Sequence, residues 1–313
     1  MKLNKPKFWD TKNNFFSILL LPISLIVLLF IFFKKKFTKT IKFNIPIICV
    51  GNIYIGGTGK TPTSIFLANE LSKKGKKPVI LRKYYNDHLD EYNLIKKYFK
   101  NLIIKSSRAD GIKDAENTDH DCVILDDGFQ DYKIKKDLNI LCFNQNQLIG
   151  NGLILPSGPL RESLSSIKDA NIILINGKKN KDFEKKLLDI NNNIEIFYSY
   201  YKPTNLEQFR NKKLFAIAGI GNPENFFQLI EKNNLYIKKK LSFPDHYQFT
   251  EAEVKNIKNE AKNKDCQIIM TEKDYFKIKD YNINNIGYLN VTLEVIEKEK
   301  FLKVITKLYD QKN

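Results

Sequence analysis

The stretch from Ile45 to Gly75 constrains this chain more than any other. It reads IPIICVGN, an apolar run rich in β-branched residues, then the glycine turn IYIGGTGKTP, then TSIFLANELSKKG with helical periodicity. Strand, glycine turn and helix in that order describe a buried parallel strand that delivers a phosphate-binding loop to a helix N-terminus. Backbone amides from Gly57 to Lys60 can wrap phosphates there, with Gly56, Thr58 and Gly59 shaping the turn. Lys60 is then placed to reach β/γ oxygens, and the Thr61 hydroxyl to coordinate Mg²⁺. The spacing departs from G-x-x-x-x-G-K-T, because Tyr54 stands where the first glycine belongs. Gly56 and Gly57 are expected to supply the freedom instead.

Such a loop needs an acidic partner at the end of a neighbouring strand, and DCVILDDGFQD (121–131) has one. Val123, Ile124 and Leu125 read as buried strand, followed by Asp126 and Asp127. One carboxylate can hold Mg²⁺ while the other orients a water, the lysine or the substrate. Further apolar runs at 46–50, 78–81, 101–104, 138–143 and 171–175 alternate with helical or loop segments. That predicts a mainly parallel α/β sheet covered on both faces, with ligands at the strands' carboxyl ends. A second set begins near Leu214: strand LFAIA, the turn GIGNP, a helix to about Lys232, strands near 268–271 and 287–291, and a helix from about Glu297. The predicted organisation is an N-terminal segment (1–42), a P-loop domain (43–206) and a smaller α/β domain (207–313), with 176–197 as a polar surface excursion.

Phe15 to Phe33 contains 19 residues without a charge. As one helix it would extend roughly 28 Å, close to a hydrocarbon core, so an N-terminal membrane helix is expected. A cleaved leader fits poorly, since no small-x-small site follows and Lys34, Lys35 and Lys36 close the run. Basic residues flank both sides, which also suits a segment that enters one leaflet and stays there, and Pro22 can bend it. The formal net charge of +17 agrees with an anionic membrane surface or a phosphorylated substrate. No basic-aromatic stripe, zinc-ligand spacing or RNA-binding signature speaks for nucleic acid, and no obligate protein partner is evident. The four cysteines lie far apart in apolar runs and read as buried thiols.

With both motifs placed, the chain resembles the tetraacyldisaccharide 4'-kinases, membrane-associated enzymes that phosphorylate the lipid A precursor. The similarity includes VGNIYIGGTGKTP (50–62), ILDDGFQ (124–130), GNGLILPSGPLRES (150–163), AGIGNPENFF (218–227), FPDHYQFT (243–250) and MTEKDYFK (270–277). It implies a P-loop kinase fold and transfer of the γ-phosphoryl group of ATP, with Mg²⁺, to the 4'-hydroxyl of a tetraacyldisaccharide 1-phosphate. It also implies work at the cytoplasmic side of the inner membrane.

Carried over residue by residue, the resemblance makes Lys60 the phosphate-binding lysine, Thr61 and Asp126 the metal ligands, and Asp127 the second carboxylate of the acidic pair. Gln130 matches the glutamine after that pair. The family usually has histidine next, and Asp131 here is assigned no role. Arg161 and Glu162 match an Arg-Glu pair that can contact phosphate and assist Mg²⁺. Arg82, in Leu81-Arg82-Lys83-Tyr84, aligns with a family arginine, and Arg108 also aligns, facing the phosphate-rich cleft. Asp90 is expected to accept the hydroxyl proton with His246 hydrogen-bonded to it; which of the two takes the proton stays open. Asp245 is as well placed as Asp90 to orient the imidazole, while His88 and His120 sit in polar turns and fit no motif. Asp90 on one domain and His246 on the other would make closure complete the pair. AGIGNPENF and TEKDYFK carry no role beyond a strand-to-helix turn and a brace. The competing reading is a membrane-anchored P-loop NTPase without lipid kinase activity.

Overall fold

The computed structural model describes residues 5–86, 88–245, 247–281 and 284–310. In chain order its elements are α1 (Phe15–Leu19), α2 (Leu21–Phe37), β1 (Ile47–Gly51), α3 (Lys60–Lys73), β2 (Pro78–Lys83), α4 (Leu89–Tyr98), β3 (Leu102–Lys105), α5 (Arg108–Glu116), β4 (Cys122–Asp126), β5 (Leu138–Asn144), β6 (Ile172–Asn176), α6 (Lys181–Ile190), β7 (Glu195–Pro203), β8 (Leu214–Ala218), α7 (Pro223–Lys232), β9 (Ile237–Ser242), α8 (Glu251–Asn263), β10 (Gln267–Thr271), α9 (Glu272–Ile278), β11 (Ile286–Leu289), β12 (Val291–Val295) and α10 (Lys298–Asp310).

Two sheets organise these elements. Eight strands run in the order β12-β7-β6-β5-β1-β4-β2-β3, and four in the order β11-β10-β8-β9. From β7 to β3, and throughout the smaller sheet, the strand pairs are parallel. The central strands β1 and β4 are buried along their full length, as their unbroken apolar sequences require. Their register sets Val50 opposite Asp126, so the phosphate loop and the acidic turn leave the sheet side by side.

The division into compact units differs from the contiguous 43–206 and 207–313 cut. One unit comprises the described residues of Lys5–Tyr84, Phe99–Tyr200 and Leu293–Asn313; the other contains Tyr85–Tyr98 and Tyr201–Thr292. Helix α4, with Asp90, therefore belongs to the second unit, and α10 to the P-loop unit. In the latter, α10 buries Phe301, Leu302 and Ile305, with the Phe301 ring 5.1 Å from Phe197. The stretch 176–197 is also more than an excursion: Phe183 and Leu187 of α6 are buried, and β7 follows.

The apolar N-terminal run does not form one helix. It is divided at Leu20 into α1 and α2, with Pro22 at the start of α2, where its missing amide costs no hydrogen bond. No helix of the described residues is long and apolar enough to cross a membrane, which corrects the expected membrane helix to a broken pair. One face of that pair is tied to the P-loop unit by polar contacts. Ser24 is buried, and its hydroxyl accepts from the Ser157 amide at 3.0 Å. Asn151 Nδ2 donates to Ser17 Oγ at 3.0 Å, and Trp9 Nε1 to the Pro156 carbonyl at 2.9 Å. The GNGLILPSGPL motif is thus the seat of the N-terminal helices. Gly158 is required there, because a Cβ would fall 2.4 Å from the Leu153 carbonyl oxygen.

Candidate active site

In the P-loop unit, β1 ends at Gly51 and the chain turns through Asn52–Gly59 into α3. Gly56 (φ 100°) and Gly59 (φ 95°) adopt left-handed backbone that other residues resist, and Gly59 caps α3 in that conformation. Tyr54, which replaces the first glycine of the motif, is fully buried and bridges Leu160 in an antiparallel pair. The flanking bonds run from the Ile55 amide to the Pro159 carbonyl (2.9 Å) and from the Arg161 amide to the Ile53 carbonyl (2.7 Å). The GPLR segment is therefore zipped along the phosphate loop, and this explains both the tyrosine and the position of Arg161.

Asn52 organises the turn: its Nδ2 donates to Thr58 Oγ1 at 2.9 Å, and its carbonyl accepts from Gln130 Nε2 at 2.9 Å. Gln130 thus ties the acidic turn to the phosphate loop. Nothing in the sequence marked Asn52, because its role arises from two loops meeting.

Lys60, Thr61 and Ser64 start α3. Thr61 Oγ1 donates to Asp126 Oδ2 at 2.9 Å and Ser64 Oγ to Asp126 Oδ1 at 3.1 Å. Arg82, at the end of β2, pairs with the same Asp126 oxygen and reaches Thr61 Oγ1 at 3.0 Å. Asp127 holds left-handed backbone (φ 59°) and accepts Arg161 Nη1 at 3.1 Å, with Lys60 Nζ at 3.7 Å. Arg108 Nη2 donates to the Asp127 carbonyl at 2.7 Å and its Nη1 to Asp131 at 3.3 Å. Asp131, to which the sequence assigned no role, therefore steadies Arg108.

These charges shape one another. Burial opposes ionisation of Asp127, yet Lys60, Arg161 and Arg82 outweigh it and hold the carboxyl well below the usual carboxylate range. Burial pulls Lys60 below the ordinary lysine value, with Asp127 resisting. Glu162 is pushed upward by burial against the pull of Gln130 and Tyr132, and no hydrogen bond from the described residues reaches its Oε1. The loop is thus a basic cradle around Asp126 and Asp127. Thr61 and Asp126 together offer the hard oxygen donors that suit Mg²⁺, and a cation, Arg82, already occupies the position beside them.

The second unit contains the other carboxylate of interest. Asp90 and Glu91 lie in the first turn of α4. Asp90 is buried, with Lys273 Nζ at 3.8 Å and Lys277 Nζ at 3.7 Å from its Oδ2. Lys273 also pairs with Glu91 (3.0 Å) and Asp245 (3.1 Å), and Lys277 with Asp274 (2.7 Å). His88 Nδ1 stands 3.2 Å from Glu91. Asp274 takes the Gly219 amide at 2.7 Å, and a Cβ on Gly219 would lie 2.9 Å from Asp274 Oδ1. The AGIGNPENF and TEKDYFK motifs therefore account for each other. His246 lies outside the described residues. Because Asp90 shares a unit with 243–250 rather than with the phosphate loop, closure of the two units is not what would join it to that segment.

A family model described as tetraacyldisaccharide-1-P 4'-kinase (LpxK) matches residues 16–98 and 90–310. A tetraacyldisaccharide 4'-kinase of Pelagibacter ubique is 39% identical over 99% of this chain and 100% of its own. One from Francisella tularensis subsp. novicida is 33% identical over 92% of this chain and 98% of its own. The crystal structure of LpxK from Aquifex aeolicus in complex with ATP superposes with a TM-score of 0.69 at 25% identity, covering 93% of this chain and 99% of that one.

Proposed function

The chain belongs to the tetraacyldisaccharide-1-P 4'-kinase family, and on that premise we propose how its two charge clusters divide the phosphorylation of the lipid A precursor. The donor is ATP, received by the phosphate loop. The observation that carries this is the set formed by Lys60, Arg161 and Asp127 at the mouth of the glycine turn. Before ATP binds, the Asp127 carboxylate holds both cations in place; the β- and γ-phosphates then take them over, aided by amides at the start of α3. Thr61 and Asp126 would hold Mg²⁺, with Glu162, the residue after Arg161, assisting; the ion would neutralise charge on the phosphate oxygens.

Asp90 is the acceptor of the 4'-hydroxyl proton, with His246 as its partner. As the hydroxyl oxygen bonds to the γ-phosphorus, the bond to the β-phosphate oxygen breaks, ADP departs, and the proton passes to the carboxylate. The basic cradle orients the donor and spreads the developing charge.

The N-terminal helices rest on the anionic inner membrane at its cytoplasmic side. Support comes from large exposed apolar side chains such as Phe15, Leu19, Ile26 and Phe30, next to Lys34, Lys35 and Lys36. A pair tied down by Ser17 and Ser24 on one face and apolar on the other suits a monotopic seat near an insoluble substrate.

Transfer of labelled γ-phosphate from Mg-ATP to tetraacyldisaccharide 1-phosphate in detergent micelles tests this reading, with Lys60→Ala, Asp90→Ala and His246→Ala in parallel. Bisphosphorylated lipid from the wild type and its loss in the variants are expected. ATP hydrolysis that needs no acceptor, with unlabelled lipid, would favour the anchored NTPase.

A further inference from the structure

The reading of Asp90 as proton acceptor leaves TEKDYFK without a part in the chemistry, yet α9 of that motif sends two cations to one oxygen of Asp90. Lys273 and Lys277 are four residues apart, so they share a face of the helix. Their amino groups lie 3.8 and 3.7 Å from Asp90 Oδ2. The Lys277 side chain is 2% exposed, as is that of Asp90, whereas Lys273 is 14% exposed. An ion pair so removed from water exerts a strong field, and losing one member leaves the other charge uncompensated.

The lysines serve more than one carboxylate. The same two lysines also hold Glu91 of α4, Asp245 from the stretch after β9 and Asp274 of α9, and His88 stands 3.2 Å from Glu91. Three further carboxylates thus compete with Asp90 for the same two cations, and like charges nearby favour keeping a proton on a carboxylate. Lys273 and Lys277 are the cations among these groups that lie near Asp90. Lys277 is itself fixed, by Asp274 at 2.7 Å and the Gly219 carbonyl at 3.3 Å, and Asp274 is anchored by the Gly219 amide and the Thr271 hydroxyl.

We propose that Lys273 and Lys277 are positioning residues for the phosphoryl transfer: they keep the Asp90 carboxylate ionised among neighbouring carboxylates and fix its Oδ2, so that it can receive the acceptor's proton. The inference rests on the proton-acceptor reading of Asp90 and extends it to a motif that the phosphate chemistry does not use.

The test is the pH profile of kcat/KM for phosphate transfer to the lipid in micelles, measured on full-length wild type, Lys277→Met, Lys277→Arg, Lys273→Met and Asp90→Asn. Lys277→Met is expected to lower the rate about tenfold or more at neutral pH and to move the acid limb upward by about one pH unit. Lys277→Arg, which keeps the charge, should return the limb toward wild type, and Lys273→Met should shift it less. Lys273→Met also reads the effect should Lys277→Met not fold. ATP affinity should be unchanged throughout. An acid limb that stays in place in the lysine variants, while Asp90→Asn is inactive, overturns the positioning role alone. An active Asp90→Asn overturns the proton-acceptor reading, and the lysine role with it.

Discussion

Each unit buries a cluster of acidic and basic side chains, but the two are balanced in opposite directions. Around the phosphate loop, Lys60, Arg82, Arg108 and Arg161 meet Asp126, Asp127 and Asp131, so cations are in excess. Between α4 and α9, Lys273 and Lys277 meet Asp90, Glu91, Asp245 and Asp274, so carboxylates are in excess. The difference teaches what each cluster can take up. An excess of cations suits incoming anionic phosphates, and an excess of carboxylates suits the proton-accepting role proposed for Asp90. A kinase needs both acts, and one mixed site could not favour both equally.

The sharpest way to break this contrast is to remove one charge from each side. Asp90→Asn should cut phosphate transfer about 10²- to 10⁴-fold while leaving ATP affinity intact, whereas Lys60→Ala should cut it about 10²- to 10³-fold and weaken ATP binding too. Equilibrium binding of ATP beside steady-state kinetics separates them; equal loss of ATP affinity in both would merge the clusters. Next in size is acid stability. Asp127 has its folded value below the unfolded one, so its stabilisation is complete above the usual carboxylate range and is lost as pH falls through the depressed value. Urea unfolding of wild type and Asp127→Asn should differ by about 2 kcal/mol at neutral pH and converge in acid.

Smaller effects sharpen the comparison. Ser24→Ala leaves the Ser157 amide without its acceptor and should cost about 1 kcal/mol, read as a lower urea midpoint for the P-loop unit. Lys60, lowered by burial, should lose its proton before an ordinary lysine does. ATP affinity should therefore fall a few-fold as pH approaches the usual lysine range from below, and Lys60→Ala should show no such decline by titration calorimetry.

Much of the P-loop unit was legible because buried parallel strands are largely apolar runs; β1, β2, β4, β5 and β6 all read that way. Strand β9 was not, since IKKKLS lies at a sheet edge and alternates half-buried and exposed residues, a pattern easily taken for surface. The charged residues of the phosphate loop were legible from spacing along the chain. Asn52, Ser64 and the bracing of Arg108 by Asp131 were not, because they arise where separate segments meet. The bend in the apolar run was legible at Pro22, but a count of uncharged residues does not show that the run forms two helices.

The discontinuous P-loop unit carries a consequence for biosynthesis. Its sheet ends on β12, and α10 lays Phe301 against Phe197 and Phe66. A nascent chain that has emerged only as far as Tyr200 holds the complete nucleotide loop but lacks that helix, leaving the aromatic side chains it covers open to water. The P-loop unit thus gains α10 only after Tyr201–Thr292 of the second unit has been made. Nucleotide, if it prefers the completed unit, would then act late, as a ligand that draws the finished fold together.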